Sequence, residues 1–155
     1  MLLQPLKILP LLVLLLALQV PSSADEGFLD PEDAFRFSAR LISPDLFEVR
    51  YRIADGYYMY RDRFHFDAGP GAIVLGAPQF PAGQWHEDEF FGRSEIFRSE
   101  IIIGIPILSL PNGAHTIRLT AVSQGCADAG ICYLPTAQTM DFELIGSLGA
   151  PDAVR

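Results

Sequence analysis

The sequence predicts an all-β fold, an antiparallel β-sandwich, on three observations. Apolar and polar residues alternate with a period of two in several short segments, which is the pattern of strands that bury one face. Turn-forming residues separate these segments at short intervals. No long segment shows the 3.6-residue period of an amphipathic helix.

The three clearest strands are predicted at residues 47–53, 116–121 and 139–144. In the first, apolar residues at the odd-numbered positions alternate with Glu48 and two arginines. The other two segments repeat the same alternation. A helix cannot collect such residues on one side, because its side chains return to one face every three to four residues.

Weaker strand candidates complete the set, and turns separate them. The candidates are Ala34–Leu41, Tyr57–Phe66, Ala72–Leu75 and Ile101–Leu108. The turns are rich in Gly, Pro, Asp and Asn and lie at residues 43–45, 55–56, 68–71 and 111–113. About seven short strands with turns at this spacing predict an immunoglobulin-like sandwich.

The first residues have the features of a secretory signal peptide. Lys7 supplies a positive charge, Ile8–Val20 is almost entirely apolar, and Ser22–Ala24 are small. At about 13 residues the apolar run is too short for a membrane-spanning helix, which needs about 20. We therefore predict a signal peptide at residues 1–24 that directs export to an oxidising compartment, one domain at residues 25–145, and a tail or linker start at residues 146–155.

The mature domain is predicted to be strongly acidic. Lys7 is the only lysine, so removal of the signal peptide leaves ten arginines against nineteen acidic residues, a net charge of −9. This charge disfavours nucleic acid and anionic membrane surfaces as partners. We expect no nucleic-acid partner, and contact with a membrane only if the native gene continues into a membrane region.

Cys126 and Cys132 are the only cysteines, and five residues separate them. They are predicted to flank a hairpin-like loop in which Gly125 and Gly130 let the chain bring two Cα atoms to the roughly 5.5 Å that a disulfide needs. Closing so short a loop stabilises a fold by only about 2 to 2.5 kcal/mol in the chain-entropy model. From the residues alone, both a structural disulfide and a redox-active pair stay open.

Two aromatic segments are candidates for the surroundings of this pair. In Trp85–Gly92, Phe90 and Phe91 follow three carboxylates, which predicts an exposed loop that carries an aromatic ring. The ring either covers the edge of the core at a hairpin tip or closes over a disulfide. Tyr58 and Tyr60 share one strand face, where they either complete the core or present hydroxyls to a sulfur.

Other catalytic arrangements are not indicated. His65, His86 and His115 lie at no metal-ligand spacing, and the sequence has no glycine-rich phosphate loop or nucleophile elbow. We predict no metal site and no bound cofactor, with a disulfide as the redox group if the domain is redox-active.

Three segments together carry a family resemblance: residues 55–61, 85–96 and 124–133. In motif and order they resemble the amino-terminal periplasmic domain of the DsbD family of bacterial thiol:disulfide interchange proteins, over about Phe28 to Leu144. The resemblance implies an immunoglobulin-like domain that takes electrons from a thioredoxin-like donor domain. It would pass them to oxidised periplasmic partners, namely a disulfide isomerase or thioredoxin-like proteins of cytochrome c maturation.

The resemblance also implies residue roles. Cys132 would form mixed disulfides with partners, and Cys126 would resolve them. Phe90 falls at the family's cap-loop aromatic, and Tyr58 and Tyr60 fall beside the cysteines. The residues that flank Phe90 in the cap loop are Asp88, Glu89, Phe91 and Gly92. Of these, the two carboxylates are expected to modulate proton transfer or the pKa of a thiol.

Departures from the family pattern are few and none replaces a cysteine. Ile131 and Phe91 stand where a larger aromatic and a tyrosine are common, and Leu134 stands where a second proline is common. The family protein continues beyond the position of Arg155 into a membrane region and a thioredoxin-like domain, so we expect a lone domain or a fragment. The competing hypothesis is a non-catalytic exported binding module with a structural disulfide.

Overall fold

The computed structural model describes residues 27–69 and 73–144. The predicted signal peptide, the predicted tail and Ala72 lie outside these residues. The elements in chain order are α1 (Pro31–Ala34), β1 (Phe35–Ser43), β2 (Leu46–Ile53), β3 (Tyr57–Tyr60), a 3₁₀ turn (Arg61–Arg63), β4 (His65–Asp67), β5 (Val74–Leu75), β6 (Gln84–Asp88), β7 (Gly92–Phe97), β8 (Glu100–Ser109), β9 (Thr116–Ser123), β10 (Gly125–Ala127), β11 (Ile131–Cys132) and β12 (Thr136–Glu143).

The described strands form three antiparallel sheets. The first has the order β1-β2-β8-β5, the second β12-β9-β4 and the third β11-β10-β3-β7-β6. The first two face each other, since Phe47 on β2 meets Phe142 on β12 with ring centroids 5.0 Å apart. The all-β antiparallel sandwich predicted from the sequence is confirmed.

Alternation along β2 explains the main core. Phe47, Val49 and Tyr51 are fully buried, whereas Arg52 on the opposite face is exposed. Burying an apolar side chain of this size stabilises a fold by about 1.5 to 3 kcal/mol. A one-residue shift in register would turn all three side chains into water, so the pattern also fixes how β2 pairs with its neighbours.

The third sheet arises where two chain segments leave the second sheet together. Strand β9 is followed after Gln124 by β10, and β3 is separated from β4 by the 3₁₀ turn. The backbone N–H of Tyr60 donates to the carbonyl of Gln124 at this crossing, 3.2 Å away. The prediction of one strand over Tyr57–Phe66 is therefore wrong in its middle, because the chain changes sheets there.

The aromatic and acidic segment at residues 85–92 forms a hairpin and not a loop throughout. Strands β6 and β7 pair from Gln84 opposite Ile96 to Asp88 opposite Gly92, so only Glu89–Phe91 form the turn. Strand β6 is the edge strand of the third sheet, so its backbone pairs on one side only, and its outward carboxylate, Glu87, stays in water. No helix within the described residues is long and apolar enough to cross a membrane.

Candidate redox site

The two cysteines lie directly opposite each other in a short hairpin. Strands β10 and β11 pair Cys126 with Cys132, a disulfide joins them, and their Cα atoms are 4.0 Å apart. Gly130 closes the turn with a φ of +89°, a left-handed conformation that glycine adopts without strain. Its N–H donates to the carbonyl of Ala127 at 3.0 Å. The predicted hairpin-like cysteine loop is present.

The two sulfur-bearing residues differ in exposure. Cys126 is fully buried at 0% exposure, whereas Cys132 is half-buried on the edge strand β11. Gly125 lets β10 approach β3 this closely, because a Cβ atom there would collide with the carbonyl oxygen of Tyr58 and the ring of Phe35. A molecule that approaches from solvent therefore meets Cys132 first.

Tyr60 connects the sulfurs to the rest of the site. Its hydroxyl oxygen is 3.2 Å from Sγ of Cys126 and 3.8 Å from Sγ of Cys132. The ring lies edge-on to Tyr58, with centroids 5.3 Å apart. Both tyrosines are buried with Cys126 in a small cluster, and Ile96 completes it. Their predicted position beside the cysteines is where the structure places them.

The Asp88 carboxylate accepts four hydrogen bonds beside this cluster. Its Oδ2 accepts from the hydroxyls of Tyr60 and Tyr58 at 2.7 and 3.1 Å, and its Oδ1 accepts from the N–H groups of Phe90 and Phe91 at 2.9 Å each. Burial by itself would raise the pKa of Asp88, but these four donors together hold the pKa below its ordinary value. The site therefore contains a fixed negative charge near the disulfide.

The tyrosines stay neutral beside that charge. Burial is the main cause that raises the pKa of Tyr60 far above its ordinary value, and the hydrogen bonds with Tyr58 and Asp88 raise it further. Burial likewise raises the pKa of Tyr58. Because the Tyr60 proton is directed at Asp88, the hydroxyl oxygen can accept a hydrogen bond from the S–H of a reduced cysteine.

The turn at residues 89–91 presents its two phenylalanines differently. Phe91 packs on the small cluster, with its ring edge-on to Tyr60 at 4.7 Å and the guanidinium of Arg63 over its face at 4.0 Å. Phe90 is 41% exposed, and Glu89 is also exposed. Of the residues predicted from the cap loop, Asp88 and Phe91 contact the cysteine cluster directly, while Glu89 and Phe90 lie at the solvent side of the turn and Gly92 ends it with a φ of +64°.

Residues missed in the sequence analysis also contribute. The His86 ring lies 4.7 Å from that of Tyr58, and its Nε2 is 3.6 Å from Oδ2 of Asp88. The period of two along β6 placed His86 and Asp88 on one face and was the available signal. Arg98 and Asp128 form a two-pronged ion pair beside the cysteine hairpin.

Residues 25–144 match the family described as the N-terminal domain of the thiol:disulfide interchange protein DsbD. The chain belongs to this family. A DsbD from Ralstonia nicotianae is 37% identical over 144 residues, covering 92% of this chain and 23% of the relative. The DsbD of Escherichia coli K12 is 38% identical over 128 residues, covering 82% and 22%. The chain thus spans less than a quarter of these relatives.

Solved structures of DsbD N-terminal domains agree with the fold. The reduced form of the domain from Neisseria meningitidis superposes with a TM-score of 0.68 at 36% identity, covering 75% of this chain and 90% of that one. The same domain in complex with the PilB N-terminal domain gives a TM-score of 0.62 at 37% identity, covering 74% and 86%. The family resemblance and the immunoglobulin-like fold are confirmed, and the family's chemistry is thiol–disulfide interchange.

Proposed function

We propose that this chain is a periplasmic relay domain in which Cys126 and Cys132 cycle between disulfide and dithiol. A thioredoxin-like donor domain reduces the pair, and the pair then reduces oxidised periplasmic proteins, either a disulfide isomerase or the thioredoxin-like proteins of cytochrome c maturation. The observation that carries this proposal is the disulfide itself. It stands at a sheet edge, with one half-buried cysteine and one fully buried cysteine.

Reduction of the pair proceeds by two exchange steps. A donor thiolate attacks Sγ of Cys132, forms a mixed disulfide and releases Cys126 as a thiolate that takes up a proton. The second donor thiolate attacks the donor sulfur of the mixed disulfide and releases Cys132. The donor becomes a disulfide, and this domain gains two electrons and two protons.

Delivery to an oxidised partner reverses the sequence. The Cys132 thiolate attacks a partner disulfide, and one partner sulfur leaves as a thiolate. Cys126 then attacks Sγ of Cys132, restores the internal disulfide and releases the partner as a dithiol. The half-buried position of Cys132 suits contact with partners, and the buried position of Cys126 suits attack from within the domain.

Asp88 and Tyr60 are proposed to hold the reduced pair in its thiol form. The fixed charge of Asp88 raises the pKa of a nearby thiol, and the Tyr60 oxygen accepts a hydrogen bond from an S–H but not from a thiolate. Thiols react with disulfides only as thiolates. The reduced domain would therefore keep its electrons until a docked partner changes these surroundings.

The turn at residues 89–91 is proposed to shield the disulfide. Phe91 contacts Tyr60 in the small cluster, and Phe90 is assigned the cap role from its place in the family motif. Asp88 fixes this turn through two backbone N–H groups, so the cap and the carboxylate move as one unit. Glu89 is proposed to adjust the local charge from the solvent side.

Cellular location and partners belong to the same proposal. The predicted signal peptide would export the chain to the periplasm, where a disulfide can form. The electrons reside on the two sulfurs, so the relay requires no bound cofactor. A DsbD N-terminal domain forms a complex with the PilB N-terminal domain, which supports a protein as the exchange partner of this domain.

The proposal is tested by trapping mixed disulfides. Cys126→Ala leaves Cys132 able to attack but not to be released, so this variant is expected to accumulate partner adducts detectable by mass spectrometry. Cys132→Ala is the matched control and is expected to trap none. Equal trapping by both variants would show that the assigned roles are wrong.

A redox titration separates the relay from the competing binding module. A relay disulfide equilibrates with a thioredoxin-like donor at a potential well above about −300 mV, whereas structural disulfides lie below it. If the donor cannot reduce the pair, even after Phe90→Ala opens the cap, the relay is rejected and the competing hypothesis of a binding module with a structural disulfide is favoured.

A further inference from the structure

The turn between the two cysteines is held by contacts outside the disulfide. The carboxylate of Asp128 accepts two hydrogen bonds from Arg98, from Nη1 to Oδ2 at 3.0 Å and from Nη2 to Oδ1 at 2.8 Å. The backbone N–H of Asp128 donates to the carbonyl of Gly56 at 2.8 Å. A two-pronged bond of this kind fixes both the position and the orientation of the carboxylate.

Arg98 is itself firmly placed. It lies immediately after β7 and before Ser99, whose φ of +63° is a left-handed conformation that a residue with a side chain rarely adopts. The N–H of Ile53 donates to the carbonyl of Ser99, and the N–H of Glu100 donates to the carbonyl of Arg98, each at 2.8 Å. The guanidinium therefore extends from a backbone turn that has little freedom.

The same guanidinium also contacts β3, the strand that pairs with the Cys126 strand β10. Its Nη1 donates to the carbonyl of Tyr57 at 3.4 Å, and its centre lies 5.0 Å from the centroid of the Tyr58 ring. Because Cys126 pairs with Tyr58 in the sheet, Arg98 joins the cysteine turn to the strand on which Cys126 is aligned.

We propose that Arg98 and Asp128 are positioning residues that keep the cysteine hairpin closed when its disulfide is reduced. We call this pair the hairpin clamp. The inference rests on the proposed redox cycle. In the oxidised state the covalent bond holds Cys126 opposite Cys132, whereas in the reduced state the clamp and the short backbone ladder must do so. A closed dithiol hairpin keeps the Cys126 sulfur near Cys132, ready to resolve a mixed disulfide.

The clamp has a defined effect on the redox equilibrium. When it is removed, the reduced hairpin gains conformational freedom that the oxidised hairpin cannot gain. The reduced state becomes relatively more stable, so oxidation of the dithiol by glutathione disulfide becomes less favourable. In that reaction the domain loses two electrons and two protons, and one glutathione disulfide becomes two glutathione thiols.

The expected magnitude follows from the exposure of the pair. The side chains of Arg98 and Asp128 are 30% and 48% exposed, so solvent screens much of their attraction. We expect the equilibrium constant for oxidation to fall about twofold to fivefold when the clamp is broken. For a two-electron couple this is a rise in reduction potential of about 10 to 20 mV.

The test is a glutathione titration of the chain and its variants, read by alkylation of free thiols and mass spectrometry. Asp128→Asn removes a negative charge and Arg98→Met removes a positive charge. Both are expected to raise the potential, and the double variant is expected to add little to either. Arg98→Lys, which keeps the charge but loses the two-pronged geometry, should fall between the wild type and Arg98→Met.

Asp141→Asn is the matched control. Asp141 forms the same two-pronged bond with Arg118 across β9 and β12, at 2.7 and 2.8 Å, and its side chain is also 48% exposed. It lies on a different sheet from the cysteines, so its loss is expected to leave the potential unchanged. Thermal unfolding of each oxidised variant shows whether it is folded, and Asp128→Asn is the substitution least disruptive in size.

The outcomes are distinguishable. Shifts of opposite sign for Asp128→Asn and Arg98→Met would indicate a purely electrostatic effect and overturn the clamp. Clamp variants that match Asp141→Asn would also overturn it. If the wild-type pair fails to equilibrate with glutathione even when a thioredoxin-like protein is added to catalyse the exchange, the proposed redox function fails, and the clamp fails with it.

Discussion

The two faces of β3 differ in chemistry although they share one four-residue strand. All four residues of Tyr57–Tyr60 are buried. Tyr57 and Met59 face the main core of the sandwich, whereas Tyr58 and Tyr60 face the small cluster around the disulfide. One side of the strand therefore supplies stability, and the other side supplies the polar groups of the redox site.

The difference shows how a small domain accommodates a half-buried carboxylate. On the main-core side, Met59 lies in the cluster of buried apolar residues, and its own side chain carries no group that requires a strong hydrogen bond. On the other side, Asp88 is tolerated because four donors satisfy its oxygens. The predictions below separate these two roles, from the largest expected effect to the smallest.

Met59→Ala is expected to cause the largest loss of stability. Met59 is fully buried, and truncation of such a side chain leaves a cavity that costs about 2 to 5 kcal/mol. Urea unfolding of the oxidised domain measures this loss. Because the side chain points away from the sulfurs, the reduction potential of the folded variant should stay at the wild-type value. A clear change in potential would contradict the separation of the two faces.

Tyr60→Phe is expected to destabilise the domain by about 2 kcal/mol, measured in the same way. The substitution removes a hydroxyl that donates to a charged carboxylate at 2.7 Å, and hydrogen bonds to charged groups contribute about 1.5 to 3 kcal/mol. The ring and its packing are retained, so the loss reports on the hydrogen bonds of the hydroxyl, of which the one to Asp88 is the shortest.

Tyr51→Phe is the matched comparison in the main core. The Tyr51 hydroxyl is buried, and within the described residues no group meets it in hydrogen-bonding geometry, although the Ser123 side chain lies near enough to lower its pKa slightly. Burial is the larger cause and raises the pKa of Tyr51 to about 12. Removing a buried hydroxyl that has no hydrogen-bond partner is expected to leave stability unchanged or to raise it, by up to about 1 to 3 kcal/mol. Equal losses of unfolding free energy for Tyr51→Phe and Tyr60→Phe would show that the hydrogen bond from Tyr60 to Asp88 does not stabilise the domain.

Asp88→Asn is expected to change how stability depends on acid. Hydrogen bonding holds the folded pKa of Asp88 below its ordinary value of 3.8, so its stabilisation is fully present above that pH and is lost as the pH falls through the folded pKa. The variant has no such group, and its unfolding free energy should fall less than that of the wild type between pH 5 and strongly acidic solution. An identical acid dependence would show that the donors do not favour the ionised carboxylate.

Arg63→Ala is expected to cause the smallest loss of stability among the variants at the redox site. The guanidinium lies over Phe91 at 4.0 Å, and such a contact at the surface contributes about 0.5 to 1 kcal/mol. Loosening Phe91 should also speed reduction of the disulfide by dithiothreitol. Arg93→Ala is the control, because Arg93 stacks on the exposed Trp85 of the same hairpin at 4.8 Å. If dithiothreitol reduces the disulfide of both variants at the same rate, Phe91 does not control access to the sulfurs.

Much of the sandwich was predictable because burial alternates along its strands. Residues 47–53 were predicted as a strand, and β2 spans Leu46–Ile53. Strand β12 begins at Thr136, earlier than predicted. The prediction misses its first residues because Thr136 and Gln138, which face inward, are polar and therefore do not show the apolar alternation. The sequence predicts one strand over residues 57–66, although the chain passes from one sheet to another within it. This passage depends on the pairing of Tyr60 with Gln124, which is distant in sequence and leaves no local signal.

The site was predictable only where a motif carries it. The cysteines, Tyr58, Tyr60 and Asp88 stand in segments that resemble the family, and the structure brings them together. The sequence does not indicate which of its arginines contacts Asp128. The contact with Arg98 depends on the backbone turn at Ser99. The roles assigned to the cysteines, the two tyrosines and Asp88, and those assigned to Glu89 and Phe90, stay predictions.

The absence of a side chain at Gly125 has a consequence for protein engineering. The space that a Cβ would need is taken by the Tyr58 carbonyl and the Phe35 ring. A designer who grafts the Cys126–Cys132 segment onto another β-sandwich must transplant that glycine and a neighbouring strand that accepts so close an approach. Without them the inner sulfur would be displaced from its tyrosine partner, and the graft would carry a disulfide without its local acid–base environment.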